Sequence, residues 1–217
     1  MTTIDHPERV LAVLLSAAAG YVDAVGFLAS GGYFMSFMSG NSTRLGVGLA
    51  GGSAAAAIAG GLILLFVAGV TAGSLIGRVA RARRRACVLA TIAALLALAA
   101  LLGDAGRLWP ACAVMAIAMG MENTVFEQDG EVRIGLTYMT GRLVKVGQRL
   151  AAALAGEDRW SWLPHVLLWS GLIAGGAAGA ASFAAWRLDA LWLVASGMAV
   201  LAMLMLVGPL RARESRT

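Results

Sequence analysis

An acid stands where an apolar helix would not choose one. Asp23 lies within Gly-Tyr-Val-Asp-Ala-Val at positions 20–25, deep in an apolar run. About one hundred residues later Gly-Met-Glu-Asn-Thr-Val, at 120–125, sets Glu122 and Asn123 in the same surroundings. A short carboxylate at bilayer depth cannot snorkel to water and costs at least about 2.5–3.5 kcal/mol, so it is paired or faces water. Two uses stay open for Asp23 and its neutral isostere Asn123. They either hydrogen-bond helix ends and backbone within a bundle, or they serve a substrate, a proton or an ion. Asp23 and Glu122 are therefore the candidates for proton or ion coupling, and Asn123 for substrate binding.

A second pair of strings carries hydroxyl, glycine and charge. Met-Ser-Gly-Asn at 38–41, followed by Arg44, returns as Met-Thr-Gly-Arg at 139–142, followed by Lys145. Ser39 and Thr140 suit helix N-caps, and Gly40 and Gly141 let the backbone turn or approach a ligand. Helical runs follow both, which predicts re-entrant or broken helices whose N-termini point into the protein. Such an end presents free N–H groups and partial positive charge to an anion or polar ligand. Ser39, Gly40, Asn41, Arg44, Thr140, Gly141, Arg142 and Lys145 are the candidate substrate contacts. Arg142, Lys145 and Arg149 share one helix face. For that segment alone, an amphipathic helix resting on anionic headgroups explains the pattern as well.

Other chemistries find little support. No His pair, Cys pair or acidic cluster has metal-ligand spacing, and no glycine-rich phosphate loop occurs, so no enzyme activity, metal or cofactor is expected. Cys87 and Cys112 fall in apolar runs and read as small hydrophobes. All but one of the 17 basic residues are arginine, Lys145 being the exception, and they cluster without interleaved aromatics, so nucleic acid is not an expected partner. Gly69, Gly73 and Gly77 match Gly171, Gly175 and Gly179 as small-residue stripes for close helix packing, with equivalent contacts expected in each half.

The elements that must hold these residues are membrane helices. The chain is 59% hydrophobic and 13% charged, with mean hydropathy +0.79, whereas a soluble domain is about a quarter charged. Six segments are apolar for the length a bilayer demands: 10–29, 56–79, 86–103, 109–126, 163–186 and 190–210. The first is expected to be retained and not cleaved as a signal, since its Gly-x-x-Asp has a partner deep in the chain. Segments 33–51 and 135–156 are ambiguous. With six spans, Arg44, Arg107 and Arg187 fall on one side and the rest of the 17 basic residues on the other; eight spans scatter them. The positive-inside rule selects six spans with both termini cytoplasmic. Three spans per copy make the second copy begin on the opposite face. The expected fold is thus one all-α polytopic membrane domain over 1–217, six transmembrane helices in a 3+3 inverted repeat (about 10–103 and 109–210) with two re-entrant or broken helices.

The strings at Asp23, Asn41, Asn123 and Gly141 resemble the YoaK-type family of bacterial integral membrane proteins, a domain of unknown function. The likeness spans roughly 10–210. Ser39 stands where that family has Thr, keeping the hydroxyl, and Glu122 where it has Gln, adding an acid. The resemblance implies an inner-membrane location and one membrane domain, and no settled activity. From the residues themselves the expected partners are the lipid bilayer and a small polar or anionic solute, with a homo-oligomer compatible with both. The expected function is secondary transport of that solute, coupled to protons; a passive channel and a non-transporting scaffold are the alternatives.

Overall fold

A computed structural model describes residues 6–128, 131–132 and 135–207. Its helices are α1 (His6–Ser30), α2 (Met38–Ala50), α3 (Ala54–Ala80), α4 (Arg84–Asp104), α5 (Leu108–Glu122), α6 (Met139–Leu154), α7 (Leu163–Trp186) and α8 (Leu191–Val207). Two short strands, β1 (Glu127–Gln128) and β2 (Glu131–Val132), pair antiparallel after α5. Five of the six expected spans coincide with a helix to within a few residues, positions 208–210 of the last lying outside the described residues. The fifth helix is the exception at its C-terminal end. It stops at Glu122, and 123–126 form a buried turn.

Three stretches among the described residues are long and apolar enough to cross a membrane: Pro7–Ser30, Ala54–Asp104 and Leu163–Val207. The latter two are each broken by an arginine. Arg81 (φ 45°) closes α3 and Arg187 (φ 52°) closes α7, and a 3₁₀ turn follows each. A non-glycine residue at such φ costs on the order of 1–3 kcal/mol, held in place by the surrounding packing.

The ends of the bundle are marked by polar contacts. At one, here the arginine end, Arg85 opening α4 meets Glu8 of α1 at 2.6 Å and Arg84 meets Glu127 after α5 at 2.8 Å. At the other, Tyr33 beyond α1 packs edge-on against Trp109 opening α5, and Gly103 of α4 lies against Leu188. Helices α1, α3, α4, α5, α7 and α8 run alternately between these ends.

Helix α1 packs along α7, and α5 along α3, through bare backbone. A Cβ on Gly175 would collide with the Ala17 carbonyl, and one on Gly69 with the Ile117 carbonyl. Gly179 abuts Tyr21 and Gly73 abuts Met121; Gly20 faces the Leu172 carbonyl and Gly120 that of Phe66. Such glycines let helix backbones approach where any side chain would hold them apart.

These contacts correct the sequence register. Gly69 corresponds to Gly175, one turn beyond Gly171, and Gly73 to Gly179. Gly77 faces Arg84 instead of a partner helix, while Gly171 meets Val13. The cause is the connection 155–162 between α6 and α7, five residues longer than 51–53 between α2 and α3. Beyond it the match moves on by about a turn, and Arg81 then aligns with Arg187.

After α1 the chain reverses at Gly31 (φ 73°) and Gly32 (φ 116°), a conformation costly for any other residue. It returns along α1, so that Met35 packs on Gly26. Helix α2 then runs along α3, with Gly48 against Ala56. The core is filled by Leu15, Met35, Leu89, Ile92, Leu96, Met115, Met119 and Met198, all with almost no exposed surface.

Candidate functional site

The site is built around Asp23. Its Oδ1 accepts hydrogen bonds from the backbone N–H of Met35 and of Ser36, both 2.6 Å, and its Oδ2 accepts one from the Ser36 hydroxyl at 2.6 Å. Three donors thus converge on one carboxylate, which pins the returning loop to α1. Next along, Asn41 is fully buried and mimics a backbone partner: its Oδ1 accepts from Phe34 N–H at 3.1 Å and its Nδ2 donates to the Phe34 carbonyl at 2.7 Å.

The second half repeats the clamp in weaker form. Asn123 accepts from the Thr137 hydroxyl through Oδ1 at 3.1 Å and donates from Nδ2 to the Met119 carbonyl at 3.0 Å. Ser36 and Thr137 each stand two residues ahead of the Met that opens the following helix. Neither is among the residues expected from sequence, although both carry the same spacing as Met38 and Met139.

Beside Asn123 stands Glu122, the last residue of α5. It is completely buried, and neither carboxylate oxygen has a hydrogen-bond partner. Helix α5 has 15 residues, about 22 Å at 1.5 Å per residue, short of the roughly 30 Å of a hydrocarbon core. Its polar end therefore stops inside the bundle, where α1, α3 and α4 pack against it.

The helix caps differ from expectation. Phe37 and Tyr138 occupy the N-cap positions of α2 and α6, without a side-chain cap. Ser39 and Thr140 lie inside the first turns and are exposed. The hydroxyls that matter are those of Ser36 and Thr137, spent on Asp23 and Asn123 and not on helix N–H groups. Gly40 packs under Phe34 and Phe37, whereas a Cβ on Gly141 would meet nothing.

The basic candidates sit apart from the acids. Arg44 stacks over the Tyr33 ring, 4.8 Å from its centroid, and lies against Gly32. Arg142 stands 3.4 Å from His165 Nδ1 at the start of α7, with Lys145 and Arg149 also acting on that ring. Partial burial lowers the pKa of the Arg142 guanidinium. On the same helix Leu143, Val144, Leu150 and Leu154 are exposed, as are Lys145 and Gln148. At the arginine end, Arg84 also donates to the Thr124 carbonyl, and Glu127 accepts from Ser74 at 2.5 Å. Among the described residues no three His, Cys, Asp or Glu side chains converge as metal ligands.

The family model described as protein of unknown function (DUF1275) matches residues 11–204. The chain belongs to the DUF1275 family. A UPF0700 transmembrane protein of Rhizobium meliloti (strain 1021) is 36% identical over 170 residues, covering 78% of this chain and 73% of that protein. No solved structure matches. The chain is accordingly a multi-pass transmembrane protein of the DUF1275 family, and its apolar outer surface (Leu64, Val79, Met203 and Val207 all mostly exposed) is the face such a protein turns to lipid.

Proposed function

We propose that this DUF1275 protein is a secondary transporter of a small polar solute, built as a 3+3 inverted repeat in the bacterial inner membrane with both termini cytoplasmic. Six crossings follow from the alternation of α1, α3, α4, α5, α7 and α8 between the bundle ends. The reciprocal packing of α1 on α7 and α5 on α3 supports the repeat, because α1 and α5 run in opposite directions while each keeps the same glycine contacts. In this architecture solute and coupling ion bind near the midplane, where helices are interrupted.

Helices α2 and α6 are then the re-entrant elements, each starting at a clamp. Ser39, Gly40, Asn41 and Arg44 line the approach from one side; Thr140, Gly141, Arg142 and Lys145 line it from the other. With its lone pairs engaged by three donors, Asp23 closes a gate, and the proton-handling role passes to Glu122. The observation that carries the reading is this acid, completely buried and unbonded at the end of α5. An intramembrane carboxyl kept without a partner at such cost is a functional-site candidate by default.

The test uses the full chain in proteoliposomes holding a pH-sensitive dye. Pulses of small polar solutes are expected to move protons with the wild-type protein and not with Glu122→Gln. A Glu122→Gln protein that moves protons as the wild type does contradicts the reading.

A further inference from the structure

The charges around Glu122 narrow the solute. Helix α1, which packs against α5, carries Glu8, Arg9, Tyr21 and Asp23. From α4, Arg84 is committed to Glu127 and to the Thr124 carbonyl, Arg85 to Glu8, and Asp104 lies at the opposite end. Helix α3 carries no titratable side chain before Arg78, which is exposed. No cation is bonded to Glu122 among the described residues. Glu122 also ends α5, where the helix macrodipole places about half a negative charge.

Asp23 is engaged by three donors and Glu122 by none. An anion entering here meets the Glu122 carboxyl group and the negative helix end; a cation is attracted by both.

Resting on the transporter reading, we infer that Glu122 is an exchange site for a small monovalent cation, which binds its carboxylate as the carboxyl proton departs. The step balances: one O–H bond of Glu122 breaks, the proton leaves to water, and the cation takes over the negative charge. The exchange is electroneutral.

The probes are sodium and potassium gluconate, with choline formate as the anion arm, applied outside dye-loaded proteoliposomes of the full chain. Sodium or potassium is expected to alkalinise the lumen in wild type. Glu122→Gln is expected to slow that signal at least tenfold while its unfolding midpoint in detergent is kept. Glu122→Asp, which retains the carboxyl on a shorter arm, is expected to keep exchange with an altered half-saturating cation concentration. Should choline formate drive proton movement through Glu122 while sodium and potassium do not, the cation inference is overturned and the transporter reading stands. Should neither ion nor any polar solute move protons, both fall.

Discussion

The Asp23 carboxylate holds Ser36 by two hydrogen bonds, from its backbone N–H and from its hydroxyl, both 2.6 Å. That pairing fixes where the chain re-enters the bundle after α1. Of the two uses open to this acid in sequence, hydrogen bonding to backbone within the bundle is the one the fold displays.

Removing the acceptor leaves Met35 N–H, Ser36 N–H and the Ser36 hydroxyl without their partner. A buried donor so stranded costs about 1–3 kcal/mol each. Asp23→Ala is therefore expected to lower the unfolding midpoint in detergent more than Ser36→Ala, which loses one bond. Asp23→Asn should fall between, since an amide keeps an acceptor for the loop. Differential scanning fluorimetry checks the order.

Thr137→Val removes the neutral counterpart bond to Asn123, worth about 0.5–1.5 kcal/mol. The expected loss is smaller than for Asp23→Ala, and it should be accompanied by faster amide exchange in the segment leading into α6. Hydrogen-exchange mass spectrometry reads this directly.

The glycine register makes a sharper demand. Gly69→Ala and Gly175→Ala thrust a methyl into a backbone carbonyl and are expected to abolish the folded, monodisperse protein. Gly61→Ala and Gly197→Ala enter open space, gain helix propensity of about 1 kcal/mol, and are expected to be neutral or stabilising. Size-exclusion profiles of the four variants separate the classes.

Arg81 and Arg187 both sit at positive φ. Arg81→Gly relieves that strain and is expected to raise stability by about 1 kcal/mol. Arg187→Gly gains less, because its guanidinium lies over the Phe183 ring at 4.4 Å. The two melting curves test the difference.

The spans were legible because a bilayer admits long helices by their apolarity above all, and α7 begins and ends where its composition does. The end of α5 was not. Glu122 and Asn123 interrupt the helix, yet Thr124, Val125 and Phe126 continue the apolar run in a buried turn. The N-caps eluded sequence because Ser39 and Thr140 have the right chemistry but fall inside the first turn; the earlier hydroxyls serve the clamps, and an aromatic precedes each helix. The matching strings of glycines were visible, but which of them make matching contacts needed the fold: Gly69 and Gly175 each meet a backbone carbonyl. What composition could not express is partnership: Asp23 and Glu122 look alike as letters, and only the fold gives one three donors and the other none.

The most direct test of the account is the sidedness of single cysteines at 36–46 and 137–147 in intact cells and inverted vesicles. Inverted halves predict that the first segment labels only from the outside and the second only from the cytoplasm. Labelling of both segments from the same face would contradict the account.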